Sequence, residues 1–275
     1  MTTEEFRQKL VTSALETVYK QVKDEGYNVV FLAVQGSQNY NLDTYSDDYV
    51  SDVDMKCFVL PTFKDLYYGN KVSKTLVTNF GQVEVKDLRL LTDLLGKMNS
   101  SYLELLYTPY FYVESKYENF VTLLKSKRDE LVQERLPLLV KSMYGMCLEK
   151  QKALCHEYEG LKDKLELFGG YDPKQLHHAV RMMVMMDGLL YNSTYEKVLA
   201  FNGEAKDNLL SLKVNGVENK ERAVEMMEET VWYAAKLYNT VWDGKQLRDG
   251  YLVSSNTLKY MEELVYNMVE LGLNN

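Results

Sequence analysis

The sequence predicts an α+β protein, with a small mixed unit of strands and helices over residues 1–116 followed by an all-helical unit over 117–275. Three observations predict it. "YNVVFLAVQG" (27–36) is a nearly continuous β-branched and apolar run, the pattern of a strand covered on both faces. "QVEVKDL" (82–88) alternates Val83 and Val85 with Gln82, Glu84 and Lys86, as a strand with one polar face does. From about residue 116 the apolar spacing becomes that of long helices.

The elements follow in order. Thr3 is a plausible N-cap for a helix over 3–25, where Phe6, Leu10, Ala14 and Val18 recur every four residues and Gly26 ends the run. The strand at 27–36 closes on Gly36. "SDVDMKCFVL" (51–60) reads as a second strand, followed by a loop at Pro61 and a short helix or turn ending at Gly69. "KVSKTLVTNF" fits a strand or a helix. After the strand opened by Gly81 come two helical stretches, "LRLLTDLLGKM" and "SYLELLYTP". The second half reads as helices at 117–134, 137–168, 172–191, 219–243 and 256–272, punctuated by "FGGYDP", "NGVEN" and "DGKQLRDG".

Composition narrows the function. A chain of 275 residues can bury two cores, and 46% hydrophobic with 26% charged residues is ordinary for a globular protein. The net charge of −8 argues against a general grip on duplex DNA, which needs many Lys and Arg to neutralise phosphates. Cys57, Cys147 and Cys155 are odd in number, lack CxxC spacing and lie in apolar contexts, as reduced structural thiols do. The charged N-terminus has no signal-peptide core and no eighteen-residue apolar run occurs, so a cytoplasmic protein without membrane contact is expected.

"GSQNYNLDTYSDDYVSDVDMKCFVL" (36–60) sets five aspartates beside a strand that reads as buried. Such charge needs a cation. On a strand, Asp52 and Asp54 project from one face about 7 Å apart, while Val53, Met55 and Cys57 point to the core. Glu84 on the polar face of a neighbouring strand makes a third carboxylate, and three hard oxygen donors suit Mg²⁺ or Mn²⁺. Asp43, Asp47 and Asp48 are expected in a solvated loop that caps or gates the site. Gly36 and Ser37 end a strand and open a helical turn, where backbone amides and a hydroxyl can meet a phosphate.

This order of strand, GS, loop, DxD and later carboxylate resembles the DNA polymerase β nucleotidyltransferase superfamily. The matching residues are Gly36 and Ser37, "DVD" at 52–54 and Glu84. "VEVKDLRLLTDLLGKMNSSYLELLYTP" and "DPKQLHHAVRMM" are similar to segments of the predicted nucleotidyltransferases of the RlaP/YcgL kind, found in bacteria and phages. The chain departs from the superfamily in a long spacer of fourteen residues between GS and DxD, and in Gln38, where an Arg is common. The resemblance implies a minimal nucleotidyltransferase domain (1–116), its mixed sheet flanked by helices, and a helical C-terminal domain (117–275), with Mg²⁺ or Mn²⁺ and an NTP donor. By carry-over, Asp52, Asp54 and Glu84 are catalytic and hold metal, and Gly36 and Ser37 hold the triphosphate.

Lys174, His178 and Arg181, at i, i+4 and i+7 of a predicted helix, share a face that suits a phosphate. His177 and His156 read as structural or surface residues. "RMMVMMDGLL" and the tyrosine-rich "YLELLYTPYFY" read as core. The expected function is metal-dependent transfer of an NMP group from an NTP to an unidentified hydroxyl on a small molecule, a protein side chain or an RNA end, by a two-metal mechanism. The alternative is a catalytically weak, partner-binding protein of the same fold, antitoxin-like or phage-encoded.

Overall fold

The computed structural model describes residues 2–274 except 47–48, 158–159, 192 and 243–254. The chain divides into two compact units, Met1–Glu134 with Ser254–Asn275, and Arg135–Val253.

The first unit begins with α1 (Thr3–Asp24). Its N-cap is Thr2 rather than Thr3: Thr2 and Glu5 exchange side-chain to backbone hydrogen bonds in a capping box, which shifts the start by one residue. Then come β1 (Val29–Gln35), α2 (Ser37–Tyr40), β2 (Asp54–Val59), α3 (Phe63–Tyr68), β3 (Ser73–Val77) and β4 (Gln82–Asp87). The stretch that fits either a strand or a helix is therefore β3. Two short helices, α4 (Leu91–Gly96) and α5 (Ser100–Leu103), lead to β5 (Phe111–Val113) and α6 (Glu118–Ser126). The unit's C-terminal helix is α13 (Asn256–Leu273), which packs against α4 and α6.

The sheet order is β3-β4-β2-β1-β5. β2 and β4 are parallel and the other neighbours antiparallel, so the sheet is mixed. One face packs on α1: Val11, Ala14, Leu15, Val18 and Val22 meet Leu32 and Val34, Met55 and Cys57, and Val83 and Val85. Side-chain alternation sends Asp54, Lys56, Phe58, Glu84 and Lys86 to the other face. Phe31 stacks on Phe58 there, and Tyr102 lies edge-on to the same ring.

The element α7 (Arg128–Ala153) is two helical stretches separated by a kink. Its interior contains Pro137, which offers no N–H and crowds the carbonyl four residues back; the backbone leaves helical geometry at Arg135, where the units divide. The division between the two compact units falls at 134/135, and residues 117–134 and α13 lie in the first unit.

The second unit contains the rest of α7 with α8 (Lys162–Leu167), α9 (Pro173–Leu190), α10 (Tyr195–Leu199), α11 (Gly203–Asn215) and α12 (Lys220–Trp242). α9 packs against α10, α11 and α12. Its Met182, Met185 and Met186 are buried, as expected of the methionine-rich run. Leu154, Tyr171, Leu176, Ala179, Leu212, Ala223 and Met227 form a core. "DGKQLRDG" lies outside the described residues. No described helix is long and apolar enough to cross a membrane.

Candidate functional site

The predicted site residues of the first unit gather at one end of the sheet. β1 ends where β2 and β4 begin, and Gln35 pairs with Asp54. The next residue, Gly36, has φ 91° and ψ −141°, a conformation almost confined to glycine, and Ser37 opens α2 directly after it. Ser37 is half-buried, and the amides of Ser37 and Gln38, first in the helix, have no intrahelical acceptor.

Asp52 stands beside this turn but not on the strand, which starts two residues later at Asp54. Its carbonyl accepts from the Gln38 side chain (2.8 Å), and the following Val53 N–H is taken by Phe80, so sheet pairing begins only at residue 54. The Asp52 side chain is exposed and that of Asp54 half-buried. Asp54 Oδ1 accepts from the Gln82 backbone N–H at 2.9 Å. Gly81 makes that approach possible, since a Cβ there would lie 2.9 Å from Asp54 Oδ1 and from the Val53 carbonyl oxygen. Among the described residues neither Asp52 nor Asp54 makes an ion pair.

Glu84 shares the sheet face of Asp54 but answers a different partner. In the parallel register it lies opposite Lys56, whose Nζ reaches Glu84 Oε1 at 2.6 Å with the lysine side chain only 2% exposed. Oε2 accepts from the Tyr102 hydroxyl at 2.8 Å, and Lys86 Nζ is 3.7 Å away. Burial alone would push the Glu84 carboxyl up; the bonds from Lys56 and Tyr102 outweigh it and hold the group below its ordinary range. Burial, then the bond to Glu84, raises the Tyr102 phenol.

The fit of a divalent ion follows from these donors. Asp52 and Asp54 offer hard oxygens with unbalanced charge, a set that suits one Mg²⁺ or Mn²⁺. Glu84 has both oxygens engaged, Oε1 by Lys56 and Oε2 by Tyr102. Among the described residues no group of three or more His, Cys, Asp or Glu is placed to hold a metal.

Three charged residues that sequence reading passed over organise the site. Lys56 had a signal, since strand alternation from Asp54 puts it on the same face. Glu104, in the apolar "YLELLY", is 1% exposed; it accepts from the Gly36 N–H at 3.0 Å and from the Tyr40 hydroxyl, and so anchors the start of the turn. Arg7 interrupts the apolar face of α1. It bonds Asn41 Oδ1 (2.8 Å) and Asp43 Oδ2 (2.7 Å), just beyond α2. Asp43 is therefore buried and paired, not solvated: Arg7 supplies the counter-charge that compensates its desolvation. Asp47 and Asp48 lie outside the described residues.

Lys174, His178 and Arg181 lie on α9 of the second unit: Lys174 is exposed, His178 half-buried and Arg181 buried. Burial first, and then the charges of Arg181, His177 and Lys174, hold the His178 pKa well below its ordinary value. His177 is 3% exposed, with Nδ1 2.9 Å from the Leu209 carbonyl oxygen, and burial lowers its pKa to about 3. Cys57 and Cys147 are buried free thiols and Cys155 a half-buried one; desolvation pushes Cys147 up to about 12.

No family model and no curated protein matches this chain. Among solved structures the chain is similar to a nucleotidyltransferase-like protein from Exiguobacterium sibiricum 255-15, at 14% identity over 95% of this chain and 90% of that one, with a TM-score of 0.31.

Proposed function

We propose that the chain transfers a nucleotidyl group from an NTP to an acceptor hydroxyl at the sheet end built from Gly36, Ser37, Asp52 and Asp54. One observation carries the reading: a GS turn with open amides stands beside two aspartates that make no ion pair among the described residues, and it is tied to their backbone by the Gln35 to Asp54 pairing and by the bond from the Gln38 side chain to the Asp52 carbonyl. The order of these residues along the chain is that of the polymerase β superfamily, which supports the same reading.

In this proposal Ser37 and the first amides of α2 bind phosphate oxygens, and Gly36 gives the phosphate room by lacking a side chain. Gln38 and the Gln82 N–H fix Asp52 and Asp54 in place. Mg²⁺ or Mn²⁺ held by Asp52 and Asp54 would supply Lewis-acid stabilisation of charge on the transferring phosphate. Small molecules, protein side chains and RNA ends are the acceptor classes; the net charge of −8 favours the first two. The proposal rests on the first unit alone and gives Lys174, His178 and Arg181 no part.

A second reading, a protein of this fold that binds a partner and turns over weakly or not at all, draws support from the Lys56 to Glu84 pair, which leaves the third carboxylate engaged. The two readings separate when purified protein is incubated with each labelled NTP and Mg²⁺ or Mn²⁺, with and without cell lysate. Pyrophosphate release lost in Asp54→Ala supports transfer. Nucleotide binding with no release in any combination supports the second reading.

A further inference from the structure

We infer that Lys56 withholds Glu84 from metal, so that a divalent ion at this sheet end is held by Asp52 and Asp54 without a third carboxylate. The inference rests on the nucleotidyl-transfer reading for the identity of the ligand, and goes beyond it in assigning Lys56 as a positioning residue that sets the ligand number.

The geometry leaves Glu84 little freedom. Parallel pairing puts Lys56 and Glu84 side by side on one face, and strand spacing and rise place Asp54 about 8 Å from Glu84 along the diagonal. To reach a metal beside Asp54, Glu84 must release Lys56 Nζ at 2.6 Å and the Tyr102 hydroxyl at 2.8 Å. That movement strands an ammonium whose side chain is 2% exposed, and an unpaired buried charge is strongly unfavourable.

The ammonium is also held from its other sides. It lies 4.1 Å from the centre of the Tyr102 ring, and the buried Glu104 acts on it electrostatically. Glu104 in turn accepts from the Gly36 N–H. One buried lysine thus bonds the carboxylate that would complete a metal triad and feels the charge of the one that anchors the phosphate turn. A divalent ion drawn toward Glu84 would meet this like charge.

The test is binding of Mn²⁺ alone to the full chain, followed by water-proton relaxation. The wild type is expected to bind Mn²⁺ with an affinity that Glu84→Gln changes by less than twofold and Asp54→Asn weakens at least tenfold. Lys56→Met, which frees Glu84, is expected to tighten Mn²⁺ at least tenfold, and adding Glu84→Gln to it is expected to reverse the gain. Should Lys56→Met fail to fold by circular dichroism, the wild-type and Glu84→Gln comparison decides by itself. A tenfold loss in Glu84→Gln, or no gain in a folded Lys56→Met, overturns this inference and leaves nucleotidyl transfer standing. Absence of any Mn²⁺ binding by the wild type overturns both.

Discussion

In the first unit, charges withdrawn from water are paired: Arg7 with Asp43, Lys56 with Glu84 and Asp87 with the half-buried Arg89, at 2.7, 2.6 and 2.6 Å. In the second unit, burial and then the charge of Arg181 hold the pKa values of His177 and His178 below the ordinary range, which favours their neutral forms. Pairing keeps a charge in the interior provided both partners remain, so it is vulnerable to mutation. Neutralisation needs no partner but fails when protons become abundant, so it is vulnerable to acid. Asp52 and Asp54 follow neither pattern. They stand at the sheet end, Asp52 exposed and Asp54 half-buried, without an ion-pair partner among the described residues, and the proposed function draws on that.

The largest expected effect tests pairing. Asp43→Asn leaves Arg7 without its counter-charge and should destabilise the first unit by about 3–5 kcal/mol. Amide exchange in β1 would report it, and a change below 1 kcal/mol would show that the Arg7 to Asp43 pair does not hold this unit's interior.

Acid tests the second unit. The folded pKa of His177, about 3, lies below its ordinary 6.5, so the unfolded chain takes up the proton first. Stability is therefore complete above pH 6.5 and lost as pH falls toward 3, with a ceiling of about 3 kcal/mol by pH 4 at about 1.4 kcal/mol per unit. Trp232 and Trp242, the chain's two tryptophans, both belong to this unit, so urea midpoints read by their fluorescence follow it. If amide exchange in β1 shows the first unit weakening equally between pH 7 and 5, the contrast fails.

Two smaller effects provide a baseline in which no charge is removed. Gly36→Ala forces a side chain into a nearly glycine-only conformation and should cost about 1–3 kcal/mol, seen as a lower melting temperature. Thr2→Ala removes the capping box and should cost about 1 kcal/mol, seen as faster exchange confined to the first turn of α1.

Much of the fold was legible because it is local. The apolar run of β1, the alternation of Val83 and Val85, and the four-residue spacing on α1 all record which side of an element meets the core. β5 was not legible: Phe111, Tyr112 and Val113 sit in a tyrosine-rich stretch and form a strand because the edge of β1 accepts them. At the site, the GS turn could be read from residue type. The neutralisation of Glu84 could not, because it depends on the register between β2 and β4.

By itself the sequence determined the periodicity of each element, the glycine turns, and the kinds of donor available at the sheet end, since these follow from neighbours within a few positions. Only the tertiary structure decided that Lys56 meets Glu84, that Arg7 reaches Asp43 across 36 positions, and that α13 closes the first unit. The reason is physical. Periodicity is a property of one segment, whereas a counter-charge is chosen by strand register and chain closure, which join segments that carry no local trace of one another.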